Sequence, residues 1–310
     1  MNSEKIKKEL IKKASNLGFE LIGFSPYQIL TEEIDRLEEW LKNNYHAGMS
    51  YMERNLDKRK NVREILSNCE SILTLGMNYF VGENFNLREN EGKVSRYAWS
   101  RDYHYIIWEK LDELKIFINE LDKKIDTISY VDTGPVMDQT WAEKSGLGWM
   151  GKNGVIINRE IGSWFFIANI LTNVKFESYN KSIKNYCGNC TACIDACPTK
   201  AIIAPKVIDA NRCISYLTIE NKGEISKEFK GKFDNWIFGC DICQDVCPWN
   251  IKFSKKTIEP QFYNIHNKTI TFDEIEQLSN KLFKEKFNES PILRAKLKGL
   301  KRNADFLKEK

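Results

Sequence analysis

The fold of the second half of this 310-residue chain is decided by the stretch C-G-N-C-T-A-C-I-D-A-C-P, residues 187–198. Its spacing, C-x₂-C-x₂-C-x₃-C-P, is typical of ferredoxins, in which three thiolates bind one [4Fe–4S] cluster and the fourth reaches a neighbouring cluster. The short spacers let three sulfurs converge on one side of a tight loop, and the proline ends the turn. The stretch therefore predicts an iron–sulfur module.

A second copy of this run is split. The stretch C-D-I-C-Q-D-V-C-P at residues 240–248 gives the last three positions, and Cys213 supplies the first from a distance. Two cubane clusters need eight thiolates, and eight of the nine cysteines lie between residues 187 and 247. Because the fourth cysteine of each run binds the other cluster, two ligand sets are predicted. The first is Cys187, Cys190, Cys193 and Cys247, and the second is Cys197, Cys213, Cys240 and Cys243.

Two other uses of these cysteines remain open. Structural Cys₄ zinc sites also contain C-x₂-C pairs, although they do not require a three-cysteine run followed by Cys-Pro. Disulfides form in oxidising compartments, and the N-terminus has neither an apolar signal region nor a twin-arginine pair. We therefore expect a cytoplasmic protein with reduced thiols.

Composition sets broad limits on the partners. Apolar residues make up 42% of the chain and charged residues 29%, which is ordinary for a globular protein. No stretch reaches the roughly 18 apolar residues that span a bilayer, so no membrane partner is expected. The basic excess is only 47 − 43 = 4, which permits a nucleic-acid partner without establishing one.

Hydrophobic periodicity divides the chain into helices and strands. It predicts helices over residues 4–17 and 104–121, from Thr31 as N-cap, and through Trp141, and strands over residues 19–24, 71–78, 125–131 and 164–171. This alternation favours an α/β or α+β domain. Composition changes near residue 180, and a helical apolar pattern follows at Leu293, Leu297 and Leu300. The predicted segments are an α/β domain at 1–178, a ferredoxin-like module at 179–252, and a basic, mainly helical segment at 253–310.

Candidate site residues precede the cysteines. Asp132 follows a predicted strand at a Gly-Pro turn, where open α/β sheets place chemistry, and a carboxyl group there can act as a general acid. From local sequence alone, an Asx turn or helix N-cap is the commoner role. The glycine-rich loop at 146–154 lets backbone approach a cofactor or serves as a structural turn. Arg59 and Arg96 are lone cations of the kind that is usually solvated.

Several segments together resemble the epoxyqueuosine reductases, cobalamin-dependent iron–sulfur enzymes of queuosine biosynthesis in tRNA. They are R-Y-A-W at 96–99 with D-Y-H at 102–104, V-D-T-G-P-V at 131–136, A-E-K-S-G-L-G-W-M-G-K-N at 142–153, and R-C-I-S-Y-L-T at 212–218 with the cysteine runs. They occur in the family's order along nearly the whole chain. The resemblance implies an α+β protein with a nitroreductase-like, cobalamin-binding domain at 1–178. It also implies reduction of epoxyqueuosine to queuosine at the wobble position of the tRNA anticodon loop.

The resemblance also implies roles for individual residues. Asp132 takes the place of the family's proton donor, and Lys222 that of a lysine implicated in tRNA contact. The cobalamin contacts of the family fall at Arg59, Ser95, Asp132, Ile156, Ile167, Ser215, Cys240 and Asp241. An external low-potential donor of the flavodoxin or ferredoxin type then feeds the clusters, and we expect a monomer.

Two departures from known patterns matter. The histidine-ligating cobalamin pattern D-x-H-x-x-G lacks its glycine at residues 102–107, so we predict base-off cobalamin without a protein histidine ligand. The chain also stops at Lys310, without the helical-repeat extension of many family members. Residues 281–310 hold ten Lys or Arg against four Asp or Glu. This basic segment is either a substitute that contacts tRNA phosphates or a solvated helix.

Other functions remain as alternatives. A reductive dehalogenase-like corrinoid iron–sulfur reductase would use the same cofactors, but such enzymes are typically exported with a twin-arginine signal. An iron–sulfur electron-transfer protein would bind no corrin. An RNA-binding module with structural clusters would be redox-inert.

Overall fold

The computed structural model describes residues 2–308, so Met1 and residues 309–310, at the ends of the first and third predicted segments, lie outside the described residues. The strands are β1 (Leu21–Pro26), β2 (Ser71–Asn78), β3 (Glu91–Val94), β4 (Thr127–Tyr130), β5 (Trp149–Met150), β6 (Ile156–Ile157), β7 (Phe165–Thr172), β8 (Ile202–Ala204), β9 (Val207–Ile208), β10 (Trp236–Phe238) and β11 (Thr269–Thr271). The helices are α1 (Ser3–Asn16), α2 (Thr31–Lys42), α3 (Leu56–Lys60), α4 (Tyr103–Leu121), α5 (Asp138–Lys144), α6 (Ala192–Ala196), α7 (Ile214–Ile219), α8 (Ile242–Asp245), α9 (Pro248–Phe253), α10 (Phe272–Gln277), α11 (Asn280–Lys286) and α12 (Lys296–Lys308).

An antiparallel sheet, in the order β1-β2-β7-β4, forms the centre of the N-terminal part. All residues of β2 are buried, because this strand has a neighbour on each side and packing on both faces. Successive side chains of a strand point to opposite faces, and Leu73 and Leu75 pack in the cluster that includes α1 and α4. Ile72 packs in a second cluster with Trp141 of α5.

A smaller sheet, in the order β10-β3-β11, joins distant parts of the chain. Its strands come from all of the predicted segments, and the division of the chain into those segments stays a prediction. Helix α12 closes the far side, where the Asn303 side-chain Nδ2 donates to the carbonyl oxygens of Thr218 (2.8 Å) and Ile237 (2.9 Å). The cysteine-rich segment and the C-terminal helices therefore pack directly on the N-terminal part.

The predicted helices and strands lie close to the observed ones, with two corrections. Thr31 is not the N-cap of α2, because the fully buried Leu30 occupies that position and its backbone N–H donates to Lys60. Leu293 does not belong to the buried stripe of the last helix. It lies in a 3₁₀ helix, Pro291–Ala295, and the left-handed backbone of Lys296 (φ 58°) separates it from α12. Among residues 2–308, no helix is both long and apolar enough to cross a membrane.

Candidate functional site

The loop after β4 presents Asp132 to solvent. Asp132 has a left-handed backbone conformation (φ 57°), and its Oδ2 accepts a 2.7 Å hydrogen bond from the Tyr103 hydroxyl. Gly134 fixes the loop, since a Cβ there would lie 2.1 Å from the Tyr130 ring. Helix α5 begins six residues later, with Met137 at its N-cap. The Asp132 carboxylate is thus held by a tyrosine rather than used as a helix cap.

Tyr103 is a rigid donor to this carboxylate. Its ring stacks on Phe166, with centroids 4.0 Å apart and an interplanar angle of 7°, and on His104 at 4.1 Å. Burial, and then the charge of Asp132, hold the pKa of Tyr103 well above its ordinary value. The hydroxyl therefore keeps its proton and orients one oxygen of Asp132.

The Tyr97 ring lies 6.3 Å from that of Tyr103 and 6.1 Å from that of Phe238, just before the loop between Cys240 and Cys243. Asp132 and this loop therefore border one region around Tyr97, called the cleft below. Burial raises the pKa of Tyr97 most, and the carboxylates of Asp132, Asp102, Glu220 and Asp241 raise it further. The Ser95 hydroxyl donates to Asp241 Oδ1. Gly239 has φ 71°, and a Cβ there would lie 2.5 Å from that of Ser95, so glycine lets the cysteine loop approach.

A buried ion network anchors this loop. The Arg96 guanidinium donates to Asp241 at 3.1 Å and to Asp245 at 2.7 Å, and its backbone N–H donates to Asp241 at 2.9 Å. The side chains of Arg96 and Asp241 are only 7% and 1% exposed. Burial raises the pKa of Asp245 to about 6, against the opposing charge of Arg96. The prediction that Arg96 is solvated is wrong, because the carboxylates that it pairs with lie about 145 residues away in the chain.

A second acid lies near Asp132 and was missed by sequence reasoning. Asn169 Nδ2 donates to Asp138 Oδ1 at 2.6 Å. Burial, together with the charge of Asp132, raises the pKa of Asp138 to about 7, while Arg59 opposes this shift. Sequence analysis identified only Asp132 because Asp138 stands in the first turn of a helix, where an acidic residue has an ordinary explanation.

The predicted cobalamin contacts fall into groups around this cleft. Asp132 and Arg59 both interact electrostatically with Asp138. The side chains of Ile156 and Ile167 pack in one apolar cluster. Ser95, Cys240 and Asp241 lie together opposite Asp132, and Ser215 connects to them through Thr218, whose hydroxyl contacts the Ser215 carbonyl (3.3 Å) and accepts from the Gly239 N–H (2.9 Å). Their assignment as cobalamin contacts stays a prediction.

The cysteines form two neighbouring groups. Burial raises the pKa of Cys193, and thiolates at Cys187, Cys247 and Cys190 raise it further. We call these four residues the outer set. They are the first predicted ligand set, whose assignment to one cluster stays a prediction.

The inner set is Cys197, Cys213, Cys240 and Cys243. Burial raises the pKa of Cys240 well above its ordinary value, and Cys243 and Cys213 raise it further. The charge of Cys197 likewise raises the pKa of Cys213. The charge of Cys193, from the outer set, also raises the pKa of Cys243, so the two sets are neighbours. Residues 2–308 hold no group of three or more His, Cys, Asp or Glu side chains placed to share one metal ion, and a cubane cluster spaces its thiolates more widely than one ion does.

Lys222 follows Glu220 by two residues, and the charge of Glu220 raises the pKa of Tyr97. Lys222 is exposed, on a loop whose carbonyl oxygens at Asn221 and Gly223 accept from the Arg302 guanidinium at 2.6 and 2.7 Å. Helix α12 thus fixes the loop that carries Lys222.

Comparison with known proteins adds to this geometry. Residues 59–133 match the family model described as epoxyqueuosine reductase QueG, DUF1730, and residues 186–250 match the 4Fe-4S double cluster binding domain. The chain is 45% identical over 311 residues to the epoxyqueuosine reductase of Cellulophaga algicola, an alignment that covers 99% of this chain and 100% of that one.

Solved structures are similar to this chain as well. An epoxyqueuosine reductase bound to an epoxyqueuosine-modified tRNA-Tyr stem loop matches with a TM-score of 0.91 and 33% identity, over 99% of this chain and 81% of that one. The Bacillus subtilis epoxyqueuosine reductase, with its catalytic loop swung out of the active site, matches with a TM-score of 0.91 and 32% identity, over 99% and 82%. The predicted mixed α/β fold and the two-cluster module are confirmed, and the zinc alternative has no support.

Proposed function

The chain belongs to the epoxyqueuosine reductase family, and we propose that it reduces epoxyqueuosine to queuosine in tRNA with Asp132 as the proton donor. One observation carries the proposal for Asp132. Its carboxylate accepts from Tyr103, whose ring lies 6.3 Å from that of Tyr97, and the Tyr97 ring lies 6.1 Å from Phe238, two residues before Cys240. A proton source and an electron source therefore meet at one place.

The residues around the cleft fit a large cofactor. They combine an apolar cluster with Ile156 and Ile167, polar groups at Ser95 and Ser215, and a cation at Arg59. These residues come from elements spread along the chain, as a cofactor with a wide contact surface requires. When bound, cobalamin and the two [4Fe–4S] clusters supply low-potential electrons for the reduction. We expect these residues to hold the cobalamin.

Removal of the epoxide oxygen as water consumes two electrons and two protons. Asp132 delivers the first proton to the oxygen as the ring opens, with its Oδ2 held by Tyr103. Asp138 supplies the second proton to the cleft. Because its pKa is raised to about 7, Asp138 still carries a proton in a large part of the population at neutral pH.

The tRNA backbone needs a basic surface, and one lies beside the loop that carries Lys222. A groove between this part of the chain and α12 has a volume of about 660 Å³ and is lined by Lys227, Lys298 and Lys301 among others. Lysines bind phosphates as point charges and release counterions. We therefore propose that Lys222 and this groove hold tRNA phosphates, while the modified base enters the cleft. The same proposal places the enzyme in the cytoplasm, where thiols stay reduced.

Anaerobic reconstitution with iron, sulfide and cobalamin, followed by incubation with an epoxyqueuosine-containing anticodon stem-loop, tests the function. We expect queuosine to form, as measured by mass spectrometry of the nucleosides. D132N should bind the same amounts of iron and cobalamin but react at least about 10²-fold more slowly, because general acid catalysis contributes about 10²–10⁴-fold.

The matched control is D126N. Asp126 is exposed, and its side chain accepts hydrogen bonds only from two asparagine side chains in neighbouring loops. The turnover of D126N should equal that of the wild type. Full activity of D132N would remove the role assigned to Asp132, and absence of queuosine with wild-type protein would remove the proposed function.

A further inference from the structure

We propose that the surface beside the outer cysteine set is the docking site for a small acidic electron-donor protein. This inference rests on the proposed function only in requiring an external reductant. The surface, called the outer patch below, consists of Arg159, Tyr186, Trp249, Ile251, Lys252 and Phe253.

The outer patch lies directly against the outer set. The indole Nε1 of Trp149 contacts Cys187 Sγ at 3.4 Å. The ring of Trp149 in turn packs edge-on against Trp249, with centroids 4.9 Å apart, and against Tyr186 at 5.3 Å. Helix α9, which carries Trp249, begins immediately after Cys247. A protein seated on the patch would therefore be two aromatic layers from the predicted cluster ligand Cys187.

The patch is continuous and ordered by its own contacts. The Arg159 guanidinium lies 4.8 Å from the centre of the Tyr186 ring, and that ring is 5.8 Å from Trp249. Trp249 stacks on Phe253 at 5.1 Å, and the Lys252 ammonium lies 5.2 Å from the Phe253 ring. Cation–π and aromatic contacts of this kind restrain side chains before a partner arrives. The surface is thus preorganised.

The patch carries the most exposed large apolar side chain within residues 2–308. Ile251 is 73% exposed, and Tyr186, also on the patch, is 37% exposed. Its neighbour Asn250 is buried and accepts from the Ser163 backbone N–H at 2.6 Å, so the orientation of α9 is fixed. An exposed apolar side chain beside aromatic rings and cations is typical of a protein interface.

The charge around the patch selects the partner. The surface segments 159–160, 181–190 and 248–253 contain the exposed cations Arg159, Lys181, Lys184 and Lys252, against the exposed acid Glu160. This excess attracts an acidic protein and speeds its association. Because nucleic acid repels an acidic protein, such a donor would bind at the outer patch rather than at the tRNA surface.

The position of the patch suits the direction of electron flow. The inner set includes Cys240, which lies two residues after Phe238, the neighbour of Tyr97, whereas Cys190 of the outer set is exposed. In each docking event one electron leaves the donor, which is oxidised, and enters the outer cluster, which is reduced. No bond or proton is transferred. The outer cluster then passes the electron to the neighbouring inner cluster.

Stopped-flow reduction of the protein with both clusters loaded tests the proposal, with loss of visible cluster absorbance as the signal. The double variant R159E/K252E should be reduced by flavodoxin hydroquinone, a small acidic donor, about tenfold more slowly than the wild type at low ionic strength, because steering of the donor is lost. Dithionite, which is too small to need the patch, should reduce both proteins at rates within about twofold. Rising salt should slow the wild type toward the variant.

The matched control is K123E/K124E, which changes net charge equally at exposed lysines in the loop before β4. Its rate with flavodoxin should stay within about twofold of the wild type. Equal rates for R159E/K252E and the wild type would overturn the proposal, as would equal slowing in the control. Because cluster absorbance is measured without tRNA or cobalamin, either result leaves the proposed function standing.

Should R159E/K252E lose iron, the variant I251S replaces it, since Ile251 contributes little to the core. I251S should slow reduction by flavodoxin but not by dithionite. An unchanged rate with flavodoxin would overturn the docking site.

Discussion

The inner and outer cysteine sets have nearly the same sequence spacing but different surroundings. Around the inner set, Asp241 and Asp245 share the buried guanidinium of Arg96. Around the outer set, Trp149 contacts Cys187, and Cys190 is exposed. The motif predicts the ligands in both places. Residues from other parts of the chain partly bury every cysteine of the inner set and leave a cysteine of the other exposed, which suits the proposed roles of interior relay and surface terminal.

Charge differs between the two regions as well. One guanidinium between the buried carboxylate of Asp241 and the partly exposed carboxylate of Asp245 leaves a net negative charge beside the inner set, whereas the outer patch is basic. Negative charge near an iron–sulfur cluster favours its oxidised form and lowers its reduction potential. The inner region is therefore suited to low-potential chemistry, and the outer region to recognition of an acidic partner.

The largest expected effect comes from removing one ligand from each set. C243A should abolish turnover with every reductant, because the inner cluster is the last carrier before the cleft. C190A should abolish turnover driven by flavodoxin but retain a measurable rate with dithionite, which can reach the inner cluster directly. Each variant should lose about half of its roughly eight irons per chain, as measured by iron analysis and turnover with both reductants. Retained flavodoxin-driven turnover in C190A would reverse the assignment of outer and inner.

The next effect tests the buried charge of the inner region. R96M leaves the buried carboxylate of Asp241 and the partly exposed one of Asp245 without a counter-charge, so we expect a loss of about 3–5 kcal/mol in unfolding free energy and a more negative potential of the inner cluster. Calorimetry and redox titration followed by electron paramagnetic resonance measure the two effects.

R36M is the matched control for this substitution. Arg36 also faces two carboxylates, Glu32 and Glu33 at 3.8 Å each, but it is 66% exposed. Exposed pairs of this kind are worth about 0–1 kcal/mol. Equal losses in R96M and R36M would show that burial of the Arg96 network does not matter.

The smallest effect concerns Asp138, on the proton side of the cleft. Its pKa is raised from 3.8 to about 7, mainly by burial, so the folded protein holds a proton that the unfolded chain has lost. Below about pH 4 the raised pKa does not change the free energy of unfolding. As pH rises from about 4 to about 7, it lowers that free energy progressively, and above about pH 7 the loss is complete. D138N removes this loss, and its melting temperature should exceed that of the wild type by a few degrees at pH 8 and by less at pH 6. A difference that shrinks as pH rises would contradict the raised pKa.

The accuracy of the predictions made from the sequence differs between residues. The bounds of β2 at residues 71–78 were predicted correctly, because a continuous apolar run belongs to a strand buried on both faces. The start of α2 was not predicted correctly, because the buried Leu30, rather than a residue with a capping hydroxyl, occupies the N-cap position. The strand end marked Asp132 as a candidate and family resemblance gave it the role of proton donor, whereas its orientation by Tyr103 depends on a hydrogen bond between residues 29 positions apart.

The cysteine spacing by itself determined that this chain binds two iron–sulfur clusters, because thiolate ligation is governed by short loops and a nearby proline. Only the tertiary structure decided which set faces the cleft, that Arg96 is buried, and that Asp138 lies near Asp132. Those properties arise from contacts between distant segments, and the electrostatic energy of a charged group depends on what surrounds it rather than on its neighbours in sequence.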